Sequence, residues 1–262
     1  MTEPVHILVT CRKPEMLPAA TLVFKTIRVG FPKAPLKVFP NDQPAELDSI
    51  LKASAAVGGV CYPQFLDNCR HDVWILHLLD TEPGPFWICD TDIVFWKKFE
   101  HTPDGSALAG VRVPSFYEPW TGTQYRERLH TCLMRIDPEA FRASKAKYMD
   151  SFPQEPFHPF LMFVPQQWQA ERINGRVTNH FYDTLAMAWH AFGGQEFTPE
   201  QILSFDHLNC ATYADLIAPS LDFDILGAHK AVYEDITKAR GSWATQFKWF
   251  KEHKNKETNT AK

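Results

Sequence analysis

The chain has 262 residues, 45% hydrophobic and 22% charged, with a formal net charge of -4. That balance describes a globular chain able to bury a large core, and its slight acidity removes any global electrostatic case for a nucleic-acid or anionic-membrane binder. No apolar run reaches transmembrane length, and Met1-Thr2-Glu3-Pro4 lacks the basic-then-apolar pattern of a signal peptide, so a cytoplasmic protein with no transmembrane segment is expected.

In chain order, His6 to Cys11 reads as a short apolar strand, followed from Pro14 by a helical pattern through Leu22, Val23 and Ile27. Leu36 to Phe39 reads as a second strand, closed by the turn signal Pro40-Asn41-Asp42. A helix carrying Leu47, Ile50 and Leu51 on one face ends at Gly58-Gly59, and another spans about Asp72 to Leu79 before an apolar strand at Phe86. The resulting order, β-α-β-α-α-β, predicts an α/β fold with a mostly parallel central sheet and helices on both faces. Such sheets bind ligands at the carboxyl ends of their strands.

Further on, Ala107 to Val111 and Leu129 to Ile136 read as strands, separated by a loop rich in aromatics and proline (Phe116, Tyr117, Pro119, Trp120) that is a candidate acceptor platform. Asp183 to Trp189 has a helical pattern, Phe205 to Cys210 reads as a strand, and Asp224 to Lys230 ends the expected ordered core. One domain is expected over 1–245, with a nucleotide-binding half to about residue 100, an acceptor half to 245, and a basic, flexible tail over 246–262. The six cysteines are scattered without a CxxC pair, several in apolar runs, which suits buried thiols better than disulfides or a zinc site.

Cys89-Asp90-Thr91-Asp92-Ile93 stands out, because it sets two carboxylates inside the apolar run Phe86 to Trp96. An ionised carboxylate is costly to bury alone, so the pair needs a cation or a solvent-filled cleft. Hard oxygen donors in this arrangement suit Mg²⁺ or Mn²⁺, ions that commonly keep positions for a substrate's phosphates. Asp is also a turn former and a helix N-cap, but Ile93, Val94, Phe95 and Trp96 continue the apolar run where a turn would bring Gly, Asn or Pro.

With that motif closing a β/α half, the chain resembles the nucleotide-sugar-dependent glycosyltransferases of the GT-A fold. The resemblance implies transfer of a sugar, first of all from a UDP-sugar, to a saccharide or other glycoconjugate, a nucleic-acid acceptor remaining open. It also implies Mn²⁺ or Mg²⁺ held by Asp90 and Asp92, with Asp92 close to the chemistry. A late His often completes that shell in the family, and Gly227-Ala228-His229-Lys230 is similar to that segment, with His229 as the ligand and Lys230 on the leaving phosphate. Asp183 matches an acidic residue that faces the transferred sugar or serves as general base. Thr10, Arg12, Asn41, Asp42 and His71 are expected at the donor by their places at strand ends and before the motif. The segment Arg128-Leu129-His130-Thr131-Cys132 departs from the Asn-Ser/Ala-Gly pattern of retaining members, so stereochemistry does not carry over.

Three other readings compete, the least favoured a sugar-nucleotide pyrophosphorylase, because Thr10-Cys11-Arg12-Lys13-Pro14 and no Gly-rich phosphate loop follows the first strand. Asp90-Thr91-Asp92 also matches the nucleophile motif of haloacid-dehalogenase-like phosphatases, although that motif usually opens the first strand and here two β-α units precede it. The third is a catalytically inactive GT-A-fold protein that only binds.

Overall fold

A computed structural model describes residues 2–11, 17–41, 46–62, 69, 71–114, 116–118, 123–125, 127–151, 171–173, 176–181 and 185–207. Its frame is a seven-stranded sheet in the order β12-β6-β9-β4-β1-β2-β3. Four of these strands run parallel: β1 (Val5–Thr10) beside β2 (Leu36–Asn41), β2 beside β3 (Gly59–Cys61), and β1 beside β4 (Phe86–Cys89). Then β9 (Arg128–Ile136) runs antiparallel to both β4 and β6 (Leu108–Val113), and the short β12 (Gln195–Glu196) closes the edge in parallel with β6. The sheet is therefore mixed but mostly parallel, as the β/α alternation implies. Because the chain leaves β1 first toward β2 and later returns on its other side as β4, the carboxyl ends of β1 and β4 flank a topological switch point.

Period-two alternation sorts the strand residues onto two cores. Val5, Ile7, Val9, Trp87 and Cys89 face one layer, which includes Ile50 of α3 (Leu47–Ala56) and an aromatic group of Phe31, Phe95, Phe99, Phe197 and Phe205. Phe86, Ile88, Met134 and Ile136 face the other, against Trp74, Ile75, Leu78 and Leu79 of α4 (His71–Thr81), Phe141 of α5 (Pro138–Ser151) and Ala188 of α6 (Ala186–Phe192). No helix among the described residues is long and apolar enough to cross a membrane.

Four expectations need correction, the first being the two successive helices: β3 (Gly59–Cys61) lies between α3 and α4, so the order there is α-β-α. The helix expected from Pro14 through Ile27 is broken, within the described residues, into α1 (Leu17–Ala20), a 3₁₀ turn over Leu22–Lys25 and α2 (Ile27–Gly30). A tertiary bond takes one backbone donor there, since the Val23 amide donates to the Thr91 carbonyl at 2.8 Å, and the Thr26 side-chain hydroxyl accepts from the Phe95 amide at 3.0 Å. The apolar run through the Asp pair is not one strand, since a turn at Asp90–Asp92 separates β4 from β5 (Ile93–Phe95), which pairs antiparallel with β13 (Phe205–His207). The expected loop before β9 contains two short antiparallel strands, β7 (Phe116–Glu118) and β8 (Thr123–Tyr125); β8 also pairs with β11 (Arg176–Phe181).

One buried histidine sets an acid limit on this fold. His6 is fully buried between Phe39, stacked at 5.7 Å, and Phe86, edge-on at 5.2 Å. Its Nε2 lies 3.6 Å from Glu82, but that carboxylate is already engaged by Lys37 at 2.6 Å. Burial, followed by the Lys37 charge, lowers the His6 pKa to about 3, so the ring folds neutral. The unfolded chain takes up this proton near pH 6.5, so the stability held by a neutral His6 is present above that pH and is lost as pH falls toward 3. Urea unfolding should lose up to about 1.4 kcal/mol per pH unit from this group across that window. His6→Leu should flatten the profile, and equal acid sensitivity in wild type and variant would refute the assignment.

Candidate metal centre

Asp90 and Asp92 lie at the carboxyl end of β4, in a turn fixed from two sides. The Asp90 amide donates to the Cys132 carbonyl at 2.7 Å, and the Thr91 carbonyl accepts from Val23. On β9, Val111 pairs with His130 while Gly110 pairs with Met134, so Thr131, Cys132 and Leu133 form a bulge on the side of β6. Bulges re-aim side chains and collect beside functional sites. This one sets His130 and Cys132 beside the carboxylates.

The third member of the site is His207. The β5–β13 register puts it opposite Ile93, immediately after Asp92, and its Nε2 lies 3.0 Å from Asp92 Oδ1 and 3.5 Å from Asp90 Oδ2. Two steps along the register, Phe205 anchors this strand by packing on Phe95 at 5.9 Å and Phe99 at 5.9 Å. Phe95 in turn lies so close to Gly30 that a Cβ there would meet its ring at 2.4 Å, which explains a glycine in α2. Ligand atoms of Asp90, Asp92 and His207 all lie within 4.8 Å of one another, as do those of His130, Cys132 and His207.

Charge is divided unevenly here. Burial pulls the His207 pKa down, but the charge of Asp92 and hydrogen bonds to Asp90 and Asp92 outweigh it and raise the value to about 10. The imidazolium of His207 is thus the counter-charge of the two carboxylates when no metal is bound. His130 is pushed well below the ordinary range by burial and then by His207, Arg128 and His71, so it is neutral. Its Nδ1 accepts the Cys132 amide at 3.0 Å, which leaves the ring proton on Nε2. The Cys89 and Cys132 thiols are pushed up by burial and by both Asp residues and stay protonated.

Of the residues expected at the donor, Thr10 and Asn41 end β1 and β2, and His71 opens α4 with its ring stacked on Trp74 at 5.6 Å. Asn41 uses its amide within the protein: Nδ2 donates to the Cys69 carbonyl at 2.9 Å and to Thr10 Oγ1 at 3.3 Å, and Oδ1 accepts the Cys69 amide at 2.7 Å. Arg12, Asp42, Asp183, His229 and Lys230 lie outside the described residues. His207 was not singled out by sequence reasoning. Only its place in the strand expected over Phe205 to Cys210 hinted at it, since a His there carries no motif of its own.

No protein-family model matches the chain, and no curated protein matches it significantly. Solved structures similar to it include the glycosyltransferase GlyE of Streptococcus pneumoniae TIGR4, at 10% identity over 87% of this chain and 53% of that one, with a TM-score of 0.45. The galactosyltransferase LgtC, in complex with donor and acceptor sugar analogues, aligns at 9% identity over 83% of this chain and 80% of its own, with a TM-score of 0.41. The bifunctional glycosyltransferase WbbM aligns at 10% identity over 57% of this chain, with a TM-score of 0.37. The match spans 34% of the length of WbbM and about half of GlyE (53%).

The raised His207 pKa has a sign that can be tested on metal-free protein. Its folded value lies above the unfolded 6.5, so the stabilisation is complete below pH 6.5 and disappears as pH rises through about 10. Wild type should therefore lose stability over that range. His207→Gln, which leaves the carboxylates without a counter-charge, should be about 3 kcal/mol less stable at pH 7 and lack the alkaline loss. Superimposable denaturation profiles for the two proteins would contradict the charge assignment.

Proposed function

We propose that this protein is a divalent-metal-dependent glycosyltransferase that moves a sugar from a nucleotide-diphosphate sugar, a UDP-sugar first, to a saccharide or other glycoconjugate. The observation that carries this reading is the convergence of Asp90, Asp92 and His207 at the carboxyl edge of the sheet, beside the β1–β4 switch point. Two oxygen donors and one nitrogen donor suit Mn²⁺ or Mg²⁺, and the approach of His207 Nε2 to both carboxylates, at 3.0 and 3.5 Å, supports a place for positive charge there. A divalent ion at this position would supply charge neutralisation for the diphosphate as the glycosidic bond breaks.

The chain's own residues would divide the remaining work. Asp92, fully buried, would fix the site, while Asp90, whose side chain is 33% exposed, would face the donor. His207 would give up its proton and become a neutral nitrogen ligand, with His229 a further candidate for the shell. In this reading Thr10, Arg12, Asn41, Asp42 and His71 would serve the donor, Lys230 would meet the departing phosphate, and Asp183 would hold a sugar hydroxyl or act as general base. Phe116, Tyr117, Pro119 and Trp120 offer the acceptor surface.

A screen of nucleotide sugars by nucleotide release, with Mn²⁺ and with chelator, tests the reading. Metal-dependent release should fall by at least about 10²-fold in Asp90→Asn and in Asp92→Asn, with the fold intact by circular dichroism. Full activity of both variants in chelator, or steady phosphate release from phosphomonoesters in place of nucleotide release, would overturn it.

Asp183 separates two forms of the chemistry. As general base, Asp183→Asn should lower transfer by about 10²-fold or more with donor affinity nearly unchanged. As a sugar contact, it should weaken donor affinity and reduce donor hydrolysis together with transfer. Unchanged transfer kinetics and donor affinity would remove Asp183 from the site.

A further inference from the structure

We propose that His130, Cys132 and His207 form a second, softer metal site that takes Zn²⁺ and shares His207 with the Asp90–Asp92 site. The three side chains offer two imidazole nitrogens and one sulfur within 4.8 Å of one another. The His130 and His207 rings lie 5.1 Å apart, and Cys132 is fully buried between the layers. Cys132 lies in the bulge that β9 forms between its pairings with Val111 and Gly110, and His130 is the paired residue at the edge of that bulge.

Donor chemistry separates the two sites. Carboxylate oxygens favour Mg²⁺ and Mn²⁺, whereas a thiolate with two imidazoles favours Zn²⁺, which in open sites takes three protein ligands and keeps a fourth position for water. Binding would release the Cys132 thiol proton, and the proton of His207, to solvent. It would also require His130 to give up the bond from the Cys132 amide, because with either ring nitrogen as ligand Nδ1 no longer accepts it. One neutral hydrogen bond is a small loss beside new metal–ligand bonds.

Sharing makes the sites alternatives. A neutral imidazole has one lone-pair nitrogen, so His207 can serve one ion at a time. Zn²⁺ on His130 and Cys132 therefore withdraws His207 from the carboxylates, and the protein responds to Zn²⁺ by losing Mn²⁺. This goes beyond the proposed glycosyl transfer and does not depend on the sugar chemistry.

The test uses metal-free full-length protein and Co²⁺ alone as the probe. Thiolate-to-cobalt charge transfer should appear in the near ultraviolet in wild type, in Cys89→Ser, and in Asp90→Asn and Asp92→Asn. It should be lost in Cys132→Ser and Cys132→Ala, two variants chosen so that one folding failure does not decide the matter. In parallel, one equivalent of Zn²⁺ should release one equivalent of Mn²⁺ from wild type, followed by the paramagnetic resonance of free Mn²⁺. No charge-transfer band in wild type, or a band undiminished in both Cys132 variants, would overturn the proposal. Loss of Mn²⁺ binding alone in the Asp variants, with the cobalt band kept, separates the two sites; failure of nucleotide release leaves the cobalt result standing.

Discussion

The structure depends on finding a positive charge for two carboxylates at the end of a buried strand. Asp92 is 1% exposed, and an ion so placed costs several kcal/mol unless a partner answers it. The partner among the described residues is His207, which comes from a strand more than 100 positions later and meets both carboxylates through one nitrogen. Much of the local architecture holds that meeting in place. The 3₁₀ turn and α2 grip the motif through Val23 and Thr26, β5 pairs with β13, and the aromatic group around Phe95 and Phe205 locks the register. A slip of one residue in that pairing would turn His207 to the other face.

Electrostatics inside the cluster follow from the same meeting. With His207 cationic, the neighbouring His130 is neutral, because a second imidazolium beside the first would be repelled as well as desolvated. The two thiols are held protonated by burial and by the carboxylates. In the absence of metal the cluster therefore combines two anions, one removable proton and three soft or neutral donors, a composition that favours exchange of the proton for a divalent ion.

Much of the fold was legible because it rests on local pattern. Alternating apolar residues in β1, β2, β4, β6 and β9, and the periodicity of α3 and α4, are properties of short windows, so most of the β/α order could be read directly, while the three-residue β3 was too short to show. Asp90 and Asp92 were legible for a related reason: charge inside an apolar run is visible without knowing what lies across from it. What stayed hidden was non-local. The fragmentation of the first helix goes with Thr91, about seventy residues away, taking the Val23 amide, and with Phe95 bonding the Thr26 hydroxyl. The bulge in β9 is a mismatch between two strands and exists in neither sequence alone. His207 is the clearest case, since nothing about Phe205-Asp206-His207 announces a ligand until β13 is paired with β5.

Unequal burial of the two carboxylates gives the site a direction. The Asp92 side chain is 2% exposed and that of Asp90 33%, although both contact the same imidazole nitrogen. The buried member is enclosed, whereas the outer one reaches solvent and has more room to change rotamer. In the proposed reading, an ion arriving at the carboxyl edge would meet Asp90 first, and to reach Asp92 it would have to replace the proton on His207. The apolar strand that makes the two aspartates expensive to bury would then be what favours a cation at this place over a neutral ligand.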